Sequence, residues 1–372
     1  MQIKINQTRV SEFILLGITD HRQMQVILFV LLLLIYMFCM VGNLGIICLI
    51  KHYVPLHTPM YYFLSHFSFL EMCYTSVTAP KLLFSLETEN REISFAKCMT
   101  QMYFFSSFAA TDCFLLAGMA YDRYIAICSP LRYLIIMSNK ICRLLTGICW
   151  TSGFWYAAIH TSVMLTLPFC GPNKINHFFC DFPAMLKLVC GSTLLSQLLI
   201  FIVGGFMGFS CFFLILVSYV YIISTILKIR SSSGRHKAFS TCSSHLAIVT
   251  LYYGTLIFTY LRPTSSYSLN YDGVVALFYC LVNPMLNLII YTLRNKEVRT
   301  GIKKLLQPKN ISLSRDDRIL SHAIPIGKLR TILYTKPKAS RKSFTPRQQR
   351  ISYFKSPDLI RMPFFISNNC FN

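Results

Sequence analysis

The chain has 372 residues, 54% hydrophobic and only 13% charged, with a formal net charge of +22. Soluble domains carry about 25% charged residues, so this composition excludes an ordinary soluble enzyme and points to lipid as the solvent. The bases sit between apolar runs and towards the C-terminal end, not clustered as on a nucleic-acid-binding surface, so no nucleic-acid partner is expected.

Residues 1–24 precede the first apolar span. They carry Lys4, Arg9, Glu12, Asp20 and Arg22 and no apolar stretch ending in small residues. No cleavable signal peptide is expected, and the first span serves as its own anchor. Asn6-Gln7-Thr8 is a glycosylation sequon.

A helix crossing a bilayer needs about 20 apolar residues, and seven stretches between residues 25 and 306 qualify. Residues 25–50 are uncharged, 60–80 hold one charge, Glu71, and 98–121 hold one, Asp112, before running into Asp122-Arg123. Residues 144–169 and 192–227 have none; the second exceeds one bilayer width, so its end tilts or projects into water. Residues 238–261 contain only His245, and 274–293 are again clean. The short loops on one side collect Lys51, Arg132, Lys140, Arg143, Lys228, Arg230, Arg235, Lys237, Arg294 and Lys296, whereas those on the other side mix Glu87, Arg91, Glu92, Asp181 and Asp272. The positive-inside rule makes the basic side cytoplasmic and the N-terminus extracellular, the only side on which Asn6 is useful. Residues 307–372 continue with bases from Arg315 to Lys342 and scattered Pro and Ser, without helical or strand periodicity. A disordered cytoplasmic tail touching anionic membrane lipid is expected there.

Most of the 15 cysteines lie inside spans as small apolar fillers. Cys98 lies 25 residues before Arg123, roughly 37 Å of helix and so one membrane thickness away. Cys170, Cys180 and Cys190 lie in the long loop between the fourth and fifth spans. These four are on the side where disulfides persist, and they allow three connectivities.

Glu71 and Asp112 each sit mid-span, where an ionised carboxylate costs at least a few kcal/mol. Placed side by side near Asn43 and Asn287, they cannot both stay ionised unless a cation joins them. A sodium ion and a shared proton both meet that requirement. No other metal-ligand spacing is present.

Four stretches carry a family resemblance: "LHTPMYYFLSHFSFLE" (56–71), "MAYDRYIAICSPLRY" (119–133), "SYVYIISTILKIRSSSGRHKAFSTCSSHL" (218–246) and "NPMLNLIIYTLRNKEV" (283–298). In this order they are similar to the signatures of vertebrate olfactory receptors among the rhodopsin-like G-protein-coupled receptors, and His57-Thr58-Pro59 resembles the tetrapod-type class II branch. The resemblance covers about residues 6–306. It implies an all-α seven-transmembrane helix bundle with a short amphipathic helix after the seventh span, in the plasma membrane of olfactory sensory neuron cilia. It implies an odorant ligand and an olfactory stimulatory G protein that raises cyclic AMP. It favours Cys98–Cys180 with Cys170–Cys190, and sets sodium level with a shared proton at the acid pair.

An isolated Asp-Arg at an interface is a snorkelling arginine with a local counter-ion. Within the resemblance it is a switch: Asp122 holds Arg123 at rest, and Arg123, once released, meets the G protein together with Tyr219. His245 and Tyr253 correspond to the inner switch and the pocket floor, and Asn287 and Tyr291 to the moving part of the seventh span. Helical spacing on the outer halves of the third, fifth and sixth spans brings Phe105, Ser106, Ala109, Ala110, Val203, Met207, Leu256, Ile257 and Tyr260 to one pocket. That set has no charge, so a small, neutral, mostly hydrophobic ligand is expected. The segment 228–246 is expected to be a mobile Ser/Gly loop contacting the G protein.

Two features depart from the family. Leu288 follows Asn287 where the family has proline, restoring a backbone hydrogen bond and straightening the helix, and the chain continues past the point where relatives end. A transporter would show repeats between its halves, and none is seen; no nucleophile, base and oxyanion set shares a site, so no enzyme is expected.

Overall fold

The computed structural model describes residues 10–169, 173–190, 194–260 and 269–306. Asn6, Cys170 and the segment 307–372 lie outside the described residues. The first four spans are α1 (Arg22–His52), α2 (Pro59–Thr88), α3 (Phe95–Cys128) and α5 (Asn139–Thr166), with the single turn α4 (Tyr133–Ile136) between the last two. A short α6 (Phe182–Leu186) precedes the fifth span, which is α7 (Leu194–Leu199), a π-helical turn (Ile200–Gly204) and α8 (Gly205–Lys228). The sixth span is α9 (Ser232–Tyr260). The seventh is α10 (Leu269–Leu277), a second π turn (Phe278–Val282) and α11 (Asn283–Arg294), followed by the short α12 (Lys296–Leu306).

The bundle is apolar on its outside. Val26, Ile27, Leu34 and Val41 of α1, Trp155 of α5, and Phe206, Phe209 and Phe213 of α8 are exposed, while Ser68, Glu71, Thr75 and Thr78 of α2 are buried. That is the reverse of a water-soluble helix and the arrangement hydrocarbon demands, since polar side chains must find partners inside. Among the described residues, five helices, Arg22–His52, Phe95–Cys128, Ile202–Lys228, Ser232–Phe258 and Gly273–Thr292, are long and apolar enough to cross a membrane. α2 and α5 match them in length, with 30 and 28 residues, and carry the inward polar side chains that lower their apolar content.

α3 is central, packed against α2, α5 and α8. Its approach to α5 is set by Gly153: a Cβ there would lie 2.7 Å from Ser107 O and 2.9 Å from Thr111 N. Small residues at such crossings let membrane helices meet backbone to backbone.

Two sequence expectations need correction, and one element was not anticipated. α2 does not end at Pro80; it runs through it to Thr88 and stops where Glu89 takes a left-handed φ of 59°, because packed neighbours let a membrane helix tolerate the lost backbone bond. Residues 12–15, ahead of the first span, form β1 (Glu12–Leu15), the centre of a sheet ordered β2-β1-β3. It pairs antiparallel with β2 (Glu92–Ser94) and parallel with β3 (Lys174–Ile175), turning Phe13 and Leu15 into an apolar cluster with Met102 and Met164. The segment after Lys228 is not a mobile loop, since α9 begins at Ser232. There the Ser231 hydroxyl accepts the Gly234 N–H at 3.3 Å, an N-cap that nucleates the helix inside the Ser/Gly run.

Candidate functional site

A cavity of about 60 Å³ lies among α2, α3, α9 and the seventh span, room for roughly four waters. α3 contributes Phe105, Ala109 and Asp112, and α2 contributes Glu71 and Tyr74. Tyr252, Thr255 and Leu256 come from α9, and Tyr279, Asn283, Pro284 and Asn287 from the seventh span. The floor is polar. Asn287 Nδ2 donates to Glu71 Oε1 at 2.7 Å, and Asn283 Nδ2 donates to Thr255 Oγ1 at 3.1 Å. Asp112 Oδ1, Asn283 Oδ1 and Asn287 Oδ1 are buried without a hydrogen-bond partner among the described residues. Two carboxylates and these bare oxygens around the cavity floor are oxygen donors of the kind a hard cation takes, so the residues present fit a sodium ion. Asn43 does not join them; its amide donates to Cys39 O of its own helix at 3.0 Å.

Of the nine expected pocket residues, Phe105, Ala109 and Leu256 line the cavity. Ile257 does not: it is 47% exposed and faces outward, one helical step of about 100° from Leu256. Ser106 and Ala110, each one step round from a lining residue of α3, are likewise absent from the wall. Val203 and Met207 also miss it; Val203 lies in the π turn and Met207 just after it, and the extra residue of such a turn rotates the helix beyond it. The Tyr260 side chain lies outside the described residues. Tyr252, Thr255 and Tyr279 were not anticipated, although Tyr279, Asn283 and Asn287 follow i, i+4 spacing that the sequence displays.

Above the cavity, Cys98 and Cys180 form a disulfide. Gln101 Oε1 accepts the Cys180 N–H, and its Nε2 donates to Val77 O, both at 3.0 Å, so one side chain ties the loop to α3 and α2. Cys190 is also disulfide-bonded.

At the other end of α3, Arg123 Nε donates to Asp122 Oδ2 at 2.9 Å, and its Nη2 meets the same oxygen. Tyr133 Oη donates to Asp122 Oδ1 at 2.8 Å, a partner the sequence reading missed. Asp122 is 1% exposed and Arg123 11%. His245 joins three spans: its Nε2 lies 3.2 Å from Leu116 O and its Nδ1 2.8 Å from Tyr219 Oη. A carbonyl only accepts, so Nε2 carries the proton and Nδ1 accepts the tyrosine hydroxyl. Tyr253 packs on Phe212 at 4.9 Å, and Tyr291 is buried, its hydroxyl 3.9 Å from Met119 Sδ. Tyr61 Oη donates to Glu297 Oε2 at 2.6 Å, fastening α12 to α2. Beside this end Leu131, Leu134 and Ile135 are exposed.

A family profile described as olfactory receptor matches residues 32–309. The chain belongs to the olfactory receptor family. The receptor is similar to olfactory receptor 5AP2 of Mus musculus, 52% identical over 301 residues, which are 81% of this chain and 95% of that protein. Its likeness to olfactory receptor 5AP2 of Homo sapiens has the same identity and extent. Olfactory receptor 5G25 of Mus musculus is 49% identical over 315 residues, 85% of this chain and 99% of its own length. The receptor is therefore a multi-pass membrane protein of a non-enzymatic, rhodopsin-like family with a seven-helix bundle.

The loop of the receptor carries two shifted groups. Burial pushes the His177 imidazole down from 6.5 to about 4, and the Asp181 carboxyl up from 3.8 to about 6. His177 therefore contributes stability that is present above pH 6.5 and lost as pH falls towards 4, whereas Asp181's contribution is fully present below 3.8 and lost as pH rises through 6. Thermal unfolding of the purified receptor at pH 7 and pH 5 separates them: His177→Gln is expected to lose less stability on acidification than the native protein. An identical loss in the two would remove His177 from the loop's pH response.

Proposed function

We propose that the receptor binds a small, neutral, mostly hydrophobic odorant in the cavity among α2, α3, α9 and the seventh span. It then activates an olfactory-type stimulatory G protein to raise cyclic AMP. The observation that carries this is the course of α3, which walls the cavity with Phe105, Ala109 and Asp112 and ends in the Asp122–Arg123 latch. A shift of α3 or α9 at the cavity strains the Tyr219–His245–Leu116 junction, and loss of that junction frees Arg123. Exposed Leu131, Leu134 and Ile135, the basic residues around Lys228 and Arg235, and Arg123 then form the G-protein face, on the cytoplasmic side. Glu71 and Asp112 hold a sodium ion, with the Asn287 and Asn283 oxygens beside it. This neutralises the floor and leaves aromatic and aliphatic walls for an uncharged ligand. Basic α12 lies along anionic lipid.

The test is cyclic AMP in cells co-expressing that G protein, across an odorant panel, with surface staining in parallel. Arg123→Ala is expected to reach the surface and lose the response. Replacing external sodium by N-methylglucamine is expected to shift the native concentration–response curve and leave that of Asp112→Asn unmoved. Surface-stained native receptor that is silent to the whole panel would sink the signalling claim, and a curve indifferent to sodium would sink the ion.

A further inference from the structure

The roof of the cavity is a stack of aromatic rings, and its outermost member belongs to the loop between the fourth and fifth spans. The Phe179 ring lies 4.7 Å from that of Phe105 and 6.4 Å from that of Tyr279. Phe105 itself stacks on Tyr74 at 5.1 Å and sits 6.1 Å from Tyr279. Tyr74, Phe105 and Tyr279 all line the cavity, and Phe179, fully buried, covers them from the N-terminal end of the bundle.

The backbone that carries this ring is held on both sides. Cys180 is bonded to Cys98, and its N–H is held by Gln101, itself anchored on Val77 O. The Phe179 N–H donates to His177 Nδ1 at 3.4 Å, and the His177 imidazole meets the Phe179 ring edge-on at 4.4 Å. A loop fixed by a disulfide and a bidentate amide cannot lift as a flap without breaking both. Rotation of one aromatic side chain needs neither broken. The neighbouring Phe178 is equally buried but borders a different space, beside Leu15, Gln25 and Arg91.

We propose that the Phe179 side chain is the gate between the N-terminal end of the bundle and the cavity, turning on a backbone held by Gln101 and the Cys98–Cys180 bond. It also limits the size of the ligand admitted. This rests on the odorant-pocket reading for its purpose, but its test needs no odorant.

Ala109→Cys places a thiol on the cavity wall. Receptor purified in detergent is treated with a charged methanethiosulfonate reagent; the thiolate forms a mixed disulfide and sulfinate leaves. Labelling of the receptor without Ala109→Cys is subtracted for its native thiols. Adding Phe179→Ala is expected to speed labelling roughly tenfold, and Phe179→Leu, which keeps more of the apolar contact, by less. Phe178→Ala removes a ring that lies 5.1 Å from the Phe179 ring without lining the cavity, and is expected to speed labelling by less than Phe179→Ala. Equal rates with Phe179 intact and truncated would overturn the gate, as would an equal acceleration by Phe178→Ala, which would mean general loosening. A receptor silent to every odorant still reports this rate, so failure of the gate and failure of the signalling reading are separate results.

Discussion

Gly153→Val is expected to abolish surface expression. At this position a Cβ would stand 2.1 Å from Thr111 Oγ1, 2.7 Å from Ser107 O and 2.9 Å from Thr111 N. The hydroxyl is not free to turn away, because Thr111 Oγ1 donates to Ser107 O at 2.8 Å. The other two atoms are backbone of α3, so relief requires α3 and α5 to part. A gap of 0.5–1 Å already forfeits about a quarter to a half of the dispersion attraction along the contact. Overpacking a tight site costs about 1–3 kcal/mol, and sometimes more, against a net stability of about 5–15 kcal/mol. Valine adds two further methyl groups to the same clash, so it exceeds what alanine does. Gly147 on the same helix is the control, since a Cβ there meets nothing within 4 Å. Surface immunostaining should rank native and Gly147→Ala together, Gly153→Ala lower, and Gly153→Val absent. Native staining of Gly153→Val would disprove the backbone contact.

The spans were legible because lipid imposes long apolar runs, and Glu71 and Asp112 because a carboxylate in mid-membrane stands out against them. Helix ends were less so. α5 starts at Asn139 and passes Lys140 and Arg143 before its apolar run, since long basic side chains reach water from within a helix. β1 offers only four residues of alternation, and its pairing of Ile14 with Glu92 and Lys174 leaves no local signal. The pocket was half legible for a geometric reason. Spacing finds Phe105, Ala109 and Leu256 on regular helices, but the π turn before Gly205 breaks the count that pointed to Val203 and Met207. Tyr133 on Asp122, and Phe179 on Phe105, are contacts between segments distant in sequence, and no periodicity announces them.

The departure at Leu288 carries the second large effect. The sequence alone predicted a restored backbone bond, and α11 does run unbroken from Asn283 through Leu288 to Arg294. The side chain adds something the sequence did not disclose. Leu288, 3% exposed, fills a notch in α1, where a Cβ on Gly42 would lie 2.2 Å from its Cδ2. A proline ring is shorter and would leave that notch open, so Leu288 clamps the seventh span to the first. One turn on, Tyr291 is buried against Phe67 at 5.9 Å, so the clamp also restrains the tyrosine that the signalling reading requires to move. Gly42→Ala is expected to cost about 1–3 kcal/mol by overpacking, and Leu288→Ala about 2–5 kcal/mol by opening a cavity. The double variant should cost less than their sum, because the added methyl then occupies space the leucine has vacated. Thermal unfolding of the three purified variants measures the coupling, and strictly additive losses would show that Gly42 and Leu288 do not share that space.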